Sequence, residues 1–157
     1  MDRSEFIAYV ESNQKALRRF LTALCCGDSI LADDIAQETY MKAYMSADGF
    51  RGDARFSSWV YRIAYNTFVS YRRSLRPATD VSEAAAVASD DSSDGAFRYQ
   101  TLYAALDRLN ERERTAVLLF YIEGYTIKEI SAIVDASEDA VKQHLSRARK
   151  HLKTLLS

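Results

Sequence analysis

Near the C-terminal end of the chain, polar and basic side chains occur at a spacing suited to binding DNA. At about 100° per residue they fall on one side of a predicted helix, and apolar residues fall on the other. The polar side consists of Lys142, Gln143, Ser146, Arg147 and Lys150. These residue types hydrogen-bond to base edges, and the cationic ones also neutralise phosphates. Because a basic face on an amphipathic helix is usually a solvated surface, the face alone does not decide between the two interpretations.

Two short helices and a tight turn are predicted to position this polar face. Thr126 and Glu129 have the spacing of a capping box at the start of the first helix. Asp135 interrupts the apolar pattern, and Asp tolerates left-handed backbone better than most residues do. Ser137 then has the position of an N-cap for the second helix. This pattern predicts a helix-turn-helix, and we therefore expect DNA binding here.

A second segment, residues 55–73, combines aromatic residues with arginine. Its apolar positions, which include Phe56 and Trp59, form a continuous stripe at helical spacing and are expected in a core. Away from the stripe stand Tyr61, Arg62, Tyr65, Asn66, Ser70, Arg72 and Arg73. Exposed aromatic rings next to arginine and asparagine suit the stacking and hydrogen bonding of single-stranded bases. The alternative is that Tyr61 and Tyr65 simply cover a neighbouring helix.

A third group is acidic and lies in the first half of a helix predicted over residues 29–45. The buried side of this helix is expected to hold Leu31, Ile35, Thr39 and Ala43. One exposed strip carries Asp33, Asp34, Gln37 and Glu38. Acid near a helix start often only complements the helix dipole. The spacing therefore leaves open whether the strip binds a partner.

No grouping in the sequence favours catalysis or a metal site. His144 and His151 lie on one edge of the last predicted helix, but no carboxylate or thiol nearby completes a metal-binding set. We expect them at the surface or facing phosphate. Cys25 and Cys26 are adjacent, a spacing that strains a disulfide, and read as reduced thiols of a cytosolic protein. No catalytic residue, metal or cofactor is expected.

The composition predicts an all-α protein. Hydrophobic residues make up 48% of the chain, while there is one proline and there are five glycines, so helix breakers are scarce. No run reaches the roughly 18 apolar residues of a membrane span, and no charged-then-apolar leader opens the chain. We therefore expect no membrane insertion and a cytoplasmic location.

The charge is unevenly distributed and predicts two units. Residues 1–76 carry a net +2, residues 77–100 a net −4 and residues 101–157 a net +1. Ala, Ser and Asp dominate the middle, which has too little large apolar surface to fold. We predict two small helical domains, residues 1–76 and 96–157, joined by a flexible acidic linker over residues 77–95. Further helices are expected over residues 4–26, 97–108 and 110–122, the last one stopped by Gly124.

Four motifs in this order resemble those of bacterial RNA polymerase sigma factors of the extracytoplasmic-function (ECF) class. Residues 33–40 resemble the polymerase-binding helix of the family, and residues 50–53 with 56–64 resemble its promoter-melting segment. Residues 66–73 resemble the part that reads the minus-ten promoter element. Residues 109–114 and 140–150 resemble the unit that reads the minus-thirty-five element. The chain departs from the family pattern at Ser131, Asp135 and Ala140.

The resemblance implies a transcription initiation factor and not an enzyme. The acidic strip would bind core RNA polymerase, through its beta-prime subunit, with the beta subunit as a further contact. The residues listed above from Tyr61 to Arg73 would bind and melt the minus-ten element. His144 and Arg149 would join the polar face of the last helix in binding minus-thirty-five DNA. Promoter DNA is thus the second partner, and an anti-sigma factor is a third that the resemblance suggests.

A free-standing helix-turn-helix regulator is the main alternative. It accounts for the C-terminal third of the chain. It leaves residues 55–73 and the acidic strip without a role.

Overall fold

The computed structural model describes residues 1–50, 52, 55–75 and 94–157. Every regular element within these ranges is helical. The helices are α1 (Arg3–Leu24), α2 (Ser29–Met45), α3 (Phe56–Leu75), α4 (Asp94–Asp107), α5 (Glu111–Val117), α6 (Ile127–Val134) and α7 (Glu138–Leu156). A short 3₁₀ turn, Ala47–Gly49, follows α2, and a π-helical turn, Leu118–Ile122, continues α5. The prediction of an all-α fold is confirmed for the described residues.

Two sequence predictions fall wholly or partly outside these residues. Residues 77–93 of the predicted linker are not among them, and neither are residue 76 or residues 51, 53 and 54. The helix after the linker begins at Asp94, three residues before the predicted start. The division of the chain into residues 1–76, 77–95 and 96–157 stays a prediction.

Local capping explains where most helices begin. The first helix begins one residue before the predicted start at residue 4, because the Asp2 side chain caps it by accepting from the Glu5 amide (2.9 Å). Glu5 accepts in return from the Asp2 amide (2.9 Å), which completes a capping box. The Asp28 side chain caps α2 by accepting from the Leu31 amide (3.0 Å), and this helix has the predicted bounds.

The first three helices pack around an apolar centre. Phe20, Leu21 and Leu24 of α1 are fully buried, as is Ile35 of α2. Thr39 and Ala43 are buried as predicted, while Leu31 is half-buried. Trp59 is also half-buried and packs against the rings of Phe50 and Phe56.

The helices of the C-terminal half form a second centre that is continuous with the first. Its fully buried side chains are Leu106, Leu118, Leu119, Ile130, Ile133 and Leu145. Helix α3 packs against α6, and α1 packs against α4, α5 and the π-helical turn. The described parts of the two halves therefore contact each other directly. This packing decides which of the predicted binding residues face solvent.

Candidate nucleic-acid and polymerase interfaces

The predicted helix-turn-helix consists of α6 and α7, and its turn is built by local hydrogen bonds. The Thr126 hydroxyl accepts from the Glu129 amide (3.1 Å), and the Glu129 carboxylate accepts from the Thr126 amide (2.9 Å). Asp135 adopts left-handed backbone with φ 58° and ψ 52°. Ser131 donates to the carbonyl of Ala136 across the turn. The family departure at Ser131 thus supplies a hydrogen bond that holds the turn closed.

Helix α7 buries its apolar side and leaves its polar side in solvent. Val141, Leu145 and Ala148 are buried. The exposed side chains are Lys142, Gln143, Ser146, Arg147, Arg149 and Lys150. Arg149 donates to the phenol oxygen of Tyr121 (2.9 Å), which places it at the edge of the face. The remaining five project from a helix that begins at a Ser137 cap, so they form one continuous polar and cationic surface.

The two histidines differ in exposure: His151 lies at the surface as expected, while His144 does not lie fully in solvent. His144 is half-buried beside Tyr65 and Arg112, where burial and the neighbouring arginines lower its pKa and favour the neutral ring. His151 has its Nδ1 atom 2.9 Å from a carboxylate oxygen of Glu113. Because Glu113 is buried, this pair ties α7 to α5. One ring nitrogen of His151 is therefore engaged within the protein, while 59% of its side chain is exposed.

On α3, the predicted base-binding residues divide into exposed and covered groups. Arg62, Asn66, Ser70, Arg72 and Arg73 are exposed, and Tyr65 is half-buried. Tyr61 is only 4% exposed, so the expectation that it is an exposed ring is wrong. Its ring lies 5.1 Å from that of Phe20 and 5.2 Å from that of Tyr125, measured between centroids. Tyr61 covers a neighbouring element, which was the alternative interpretation.

The hydroxyl of Tyr61 is also engaged. It donates to a carboxylate oxygen of Glu123 (3.0 Å), and burial together with this carboxylate raises the pKa of the phenol. The phenol is therefore held protonated as a donor. The sequence of α3 alone could not predict this contact, because Glu123 and Tyr125 lie more than sixty residues away along the chain.

The acidic strip on α2 divides in a similar way. Asp34 and Gln37 are exposed. Asp33 instead pairs with Arg18 of α1 (2.9 Å), and Glu38 pairs with Lys42 (2.9 Å). Hydrogen bonds from Lys42 and Tyr71 lower the pKa of Glu38. Two of the four predicted residues are thus available to a partner, and two are bound within the chain.

Large apolar side chains extend the exposed side of α2 and were not among the predicted site residues. Ile30 is 76% exposed, Met41 62% and Met45 77%. At helical spacing these residues share one face with Asp34 and Gln37. The spacing of 30, 34, 37, 41 and 45 could have shown this from the sequence, because residues three or four apart lie on one side of a helix.

Among the described residues, no three or more His, Cys, Asp or Glu side chains converge as a metal site would require. The two thiols are shielded to different degrees, Cys25 being half-buried and Cys26 exposed. Burial raises the pKa of Cys25 to about 12. In the same part of the chain, no helix is both long and apolar enough to cross a bilayer.

The chain combines a helix-turn-helix that has an exposed cationic face with α3, which carries aromatic and arginine residues. This combination is typical of a DNA-binding transcription protein. The family model for Sigma-70 region 2 matches residues 9–77, and the model for Sigma-70, region 4 matches residues 99–152. The chain belongs to the ECF RNA polymerase sigma factors. It is a transcription initiation factor that directs RNA polymerase to promoters, and it is not an enzyme.

Individual relatives agree with this assignment. The chain is 31% identical to the ECF RNA polymerase sigma factor EcfG of Rhodopseudomonas palustris, over 98% of this chain and 84% of that protein. It is 34% identical to the ECF RNA polymerase sigma-E factor of Escherichia coli, over 74% of this chain and 69% of that one. The sigma factor RpoE of Bartonella quintana, solved in complex with the anti-sigma factor NepR, superposes with a TM-score of 0.80. The two share 28% identity, and the match covers 97% of this chain and 96% of that one.

Proposed function

We propose that α2, α3 and α7 divide promoter recognition by polymerase into three tasks. The exposed face of α2 binds core RNA polymerase, α3 holds unpaired minus-ten bases, and α7 reads the minus-thirty-five element. The observation that carries the proposal is the exposed polar face of α7. The turn before α7, with left-handed Asp135 and the Ser137 cap, sets the direction of α7 so that this face stays in solvent.

Polymerase binding is assigned to Asp34 and Gln37 together with the exposed apolar residues of α2. The apolar side chains of Ile30, Met41 and Met45 would supply buried area in the complex, and the charge of Asp34 would orient the partner. Asp33 and Glu38 support this face from its edges, because their carboxylates are held by Arg18 and Lys42. The partner is the beta-prime subunit, with the beta subunit contacting the C-terminal half.

The exposed residues of α3 are assigned to opened DNA. Asn66, Ser70 and Arg73 offer hydrogen bonds to bases and phosphates, and Tyr65 offers part of a ring. Stacking contributes about 1–3 kcal/mol per base, which is comparable with the few kcal/mol needed to unstack a base pair. Tyr61, Arg62 and Arg72 belong to the same face but contact the C-terminal half in this structure.

The face of α7 is assigned to the major groove. Lys142, Gln143, Ser146 and Arg147 approach base edges, and Arg149 and Lys150 approach phosphates. An anti-sigma factor is a further proposed partner, since the Bartonella relative was solved with one. We place the protein in the cytoplasm, where it would meet polymerase and the chromosome. The free-standing regulator is not favoured, because it gives residues 9–77 no function.

A run-off transcription assay with core polymerase and a promoter library tests the proposal. The wild-type protein is expected to direct transcription from a defined subset of promoters, and Asp34→Lys to abolish it by removing polymerase binding. Glu38 is unsuitable for this test because its reversal would also break the contacts with Lys42 and Tyr71. Glu11→Lys, at an exposed position on α1, makes the same charge change and should leave transcription intact. Transcription by Asp34→Lys at the wild-type level would remove the α2 assignment.

A further inference from the structure

Three carboxylates of the C-terminal half contact α3 or the residue just before it, beside the exposed residues assigned above to unpaired DNA. Glu111 pairs with Arg72, and Glu123 accepts from Tyr61 (3.0 Å). Glu129 accepts two hydrogen bonds from Arg55, just before α3 (2.8 and 3.1 Å). We propose that Glu111, Glu123 and Glu129 form a latch that engages Arg72, Tyr61 and Arg55 in the protein without polymerase. The latch covers part of the minus-ten-reading face and leaves Asn66, Ser70 and Arg73 exposed. This inference rests on the proposed function of α3.

The latch uses the chemistry of the ligand that it excludes. A carboxylate, like a phosphate, accepts charge-assisted hydrogen bonds from guanidinium groups. The donors of Tyr61 and Arg72 that would serve a DNA strand are therefore already occupied, as is the guanidinium of Arg55. Arg62 donates to the carbonyl of Ala132 on α6 (3.4 Å), so it is occupied as well.

The latch also blocks stacking. The ring of Tyr61 is enclosed between those of Phe20 and Tyr125, and 4% of the residue reaches solvent. The guanidinium of Arg55 lies 5.0 Å from the centroid of the Tyr125 ring, which closes the site from outside. A base can reach Tyr61 only after the π-helical turn and α6 have moved away from α3. Opening therefore changes the separation of the two halves and not just a side-chain rotamer.

Glu123 is the member on which the closed state depends most. Only 3% of its side chain is exposed, so its charge requires partners within the protein. Tyr61 supplies one, and Arg19 of α1 supplies the other with distances of 3.1 to 3.3 Å. Loss of the Arg19 partner would leave a buried carboxylate with a single neutral donor. The closed packing then loses stability, while the open state, in which Glu123 is hydrated, does not.

The substitution Arg19→Gln distinguishes the effect of the latch on DNA binding from the effect of net charge. The substitution removes a positive charge, so electrostatics alone predicts weaker DNA binding. The latch predicts the opposite sign. Arg18→Gln is the matched control, because Arg18 is the neighbouring residue with the same charge, and its partner is Asp33 of α2. Both arginines have about half of their side chain exposed, so neither substitution removes packed apolar volume from the core.

The probe is a fluorescent single strand carrying the non-template minus-ten sequence of a promoter selected by the run-off assay. Its affinity for the full chain without polymerase is measured alongside the radius of gyration from small-angle X-ray scattering. For Arg19→Gln we expect an affinity gain of about tenfold with a larger radius, as for a closed state that loses one charge-assisted contact. Arg18→Gln should show neither change. Glu129→Gln should also open the protein, since Gln keeps the α6 cap but loses the ion pair with Arg55.

The two measurements distinguish failure of the latch from failure of the proposed function. An unchanged radius for both Arg19→Gln and Glu129→Gln would overturn the latch, whatever happens to DNA binding. A larger radius without gain in affinity would leave the latch standing and remove α3 as the minus-ten surface. Both changes together, absent in Arg18→Gln, support the latch and the surface that it covers.

Discussion

The guanidinium of Arg114 on α5 donates a hydrogen bond to the backbone carbonyl of Leu24 at the end of α1 (3.3 Å). The same group donates to the carbonyls of Leu106 (3.1 Å) and Leu109 (2.9 Å). Carbonyls at helix ends have no partner within the helix, and Arg114 supplies one for α1 and for the end of α4. A single buried cation thus joins the last turn of α1 to the C-terminal half.

Arg114→Met should lower the free energy of unfolding by about 2–4 kcal/mol, because several buried carbonyls lose their donor at once. Urea unfolding followed by circular dichroism measures the loss. Arg112→Met on the same helix is the control, since Arg112 is exposed and should change stability by no more than about 0.5 kcal/mol. Equal losses in the two variants would show that the Arg114 contacts do not stabilise the protein.

Asp135→Gly should stabilise the helix-turn-helix by about 0.5–1 kcal/mol, because glycine adopts the left-handed conformation without the steric cost that Asp carries. Thermal unfolding should show a higher midpoint. Asp139→Gly makes the same chemical change inside α7, where glycine costs about 1 kcal/mol, and should lower the midpoint. A fall for both variants would mean that the Asp135 side chain contributes more than its backbone costs.

Arg147→Ala and Lys150→Ala should weaken promoter binding by polymerase holoenzyme in different ways. Removal of Arg147 should cost about 1–3 kcal/mol and relax the preference at one or two minus-thirty-five positions. Removal of Lys150 should weaken all sequences equally and lower the salt dependence by about one phosphate contact. Binding to a promoter library at several salt concentrations measures both effects. Identical behaviour of the two variants would contradict this division between base and phosphate contacts.

Asn66→Ala should leave closed-complex formation by holoenzyme nearly intact and reduce strand opening. The reason is that Asn66 is exposed on α3 and would act on bases only after they unpair. Permanganate reactivity of unpaired thymines reports opening, and gel shift reports the closed complex. Ser74→Ala serves as the control, because the Ser74 hydroxyl bonds to the Tyr71 carbonyl of its own helix. Normal opening together with lost duplex binding would reassign Asn66 to phosphate contact.

Local patterns predicted those features that local hydrogen bonds determine. The start of α2 and the turn before α7 follow from Asp28, Thr126, Asp135 and Ser137. Each of these residues either caps a helix through its side chain or turns the backbone within a few residues of itself. The polar face of α7 was predictable for the same reason, because periodicity alone separates it from Val141, Leu145 and Ala148.

Features that depend on distant partners were not predictable in this way. The pattern of α3 gave its apolar stripe but not the cover over Tyr61, which comes from residues far along the chain. Arg114 lies in the motif of residues 109–114, which resembles a DNA-reading unit and so suggested an exposed side chain. Arg114 is only 9% exposed, because helix ends from both halves converge on it. The π-helical turn has no local signature in the sequence.

The acidic cover over α3 also bears on competition among binding sites in the cell. A genome presents about 10⁶–10⁹ non-specific sites, and any permanently exposed cationic and aromatic groove would be saturated by them. With Arg55, Arg62 and Arg72 engaged with the C-terminal half, α3 presents fewer free cationic groups, Arg73 among them, to competing DNA. Unbound molecules then remain diffusible rather than spread over the chromosome. The proposed latch contacts would therefore increase the concentration of free protein that polymerase can bind.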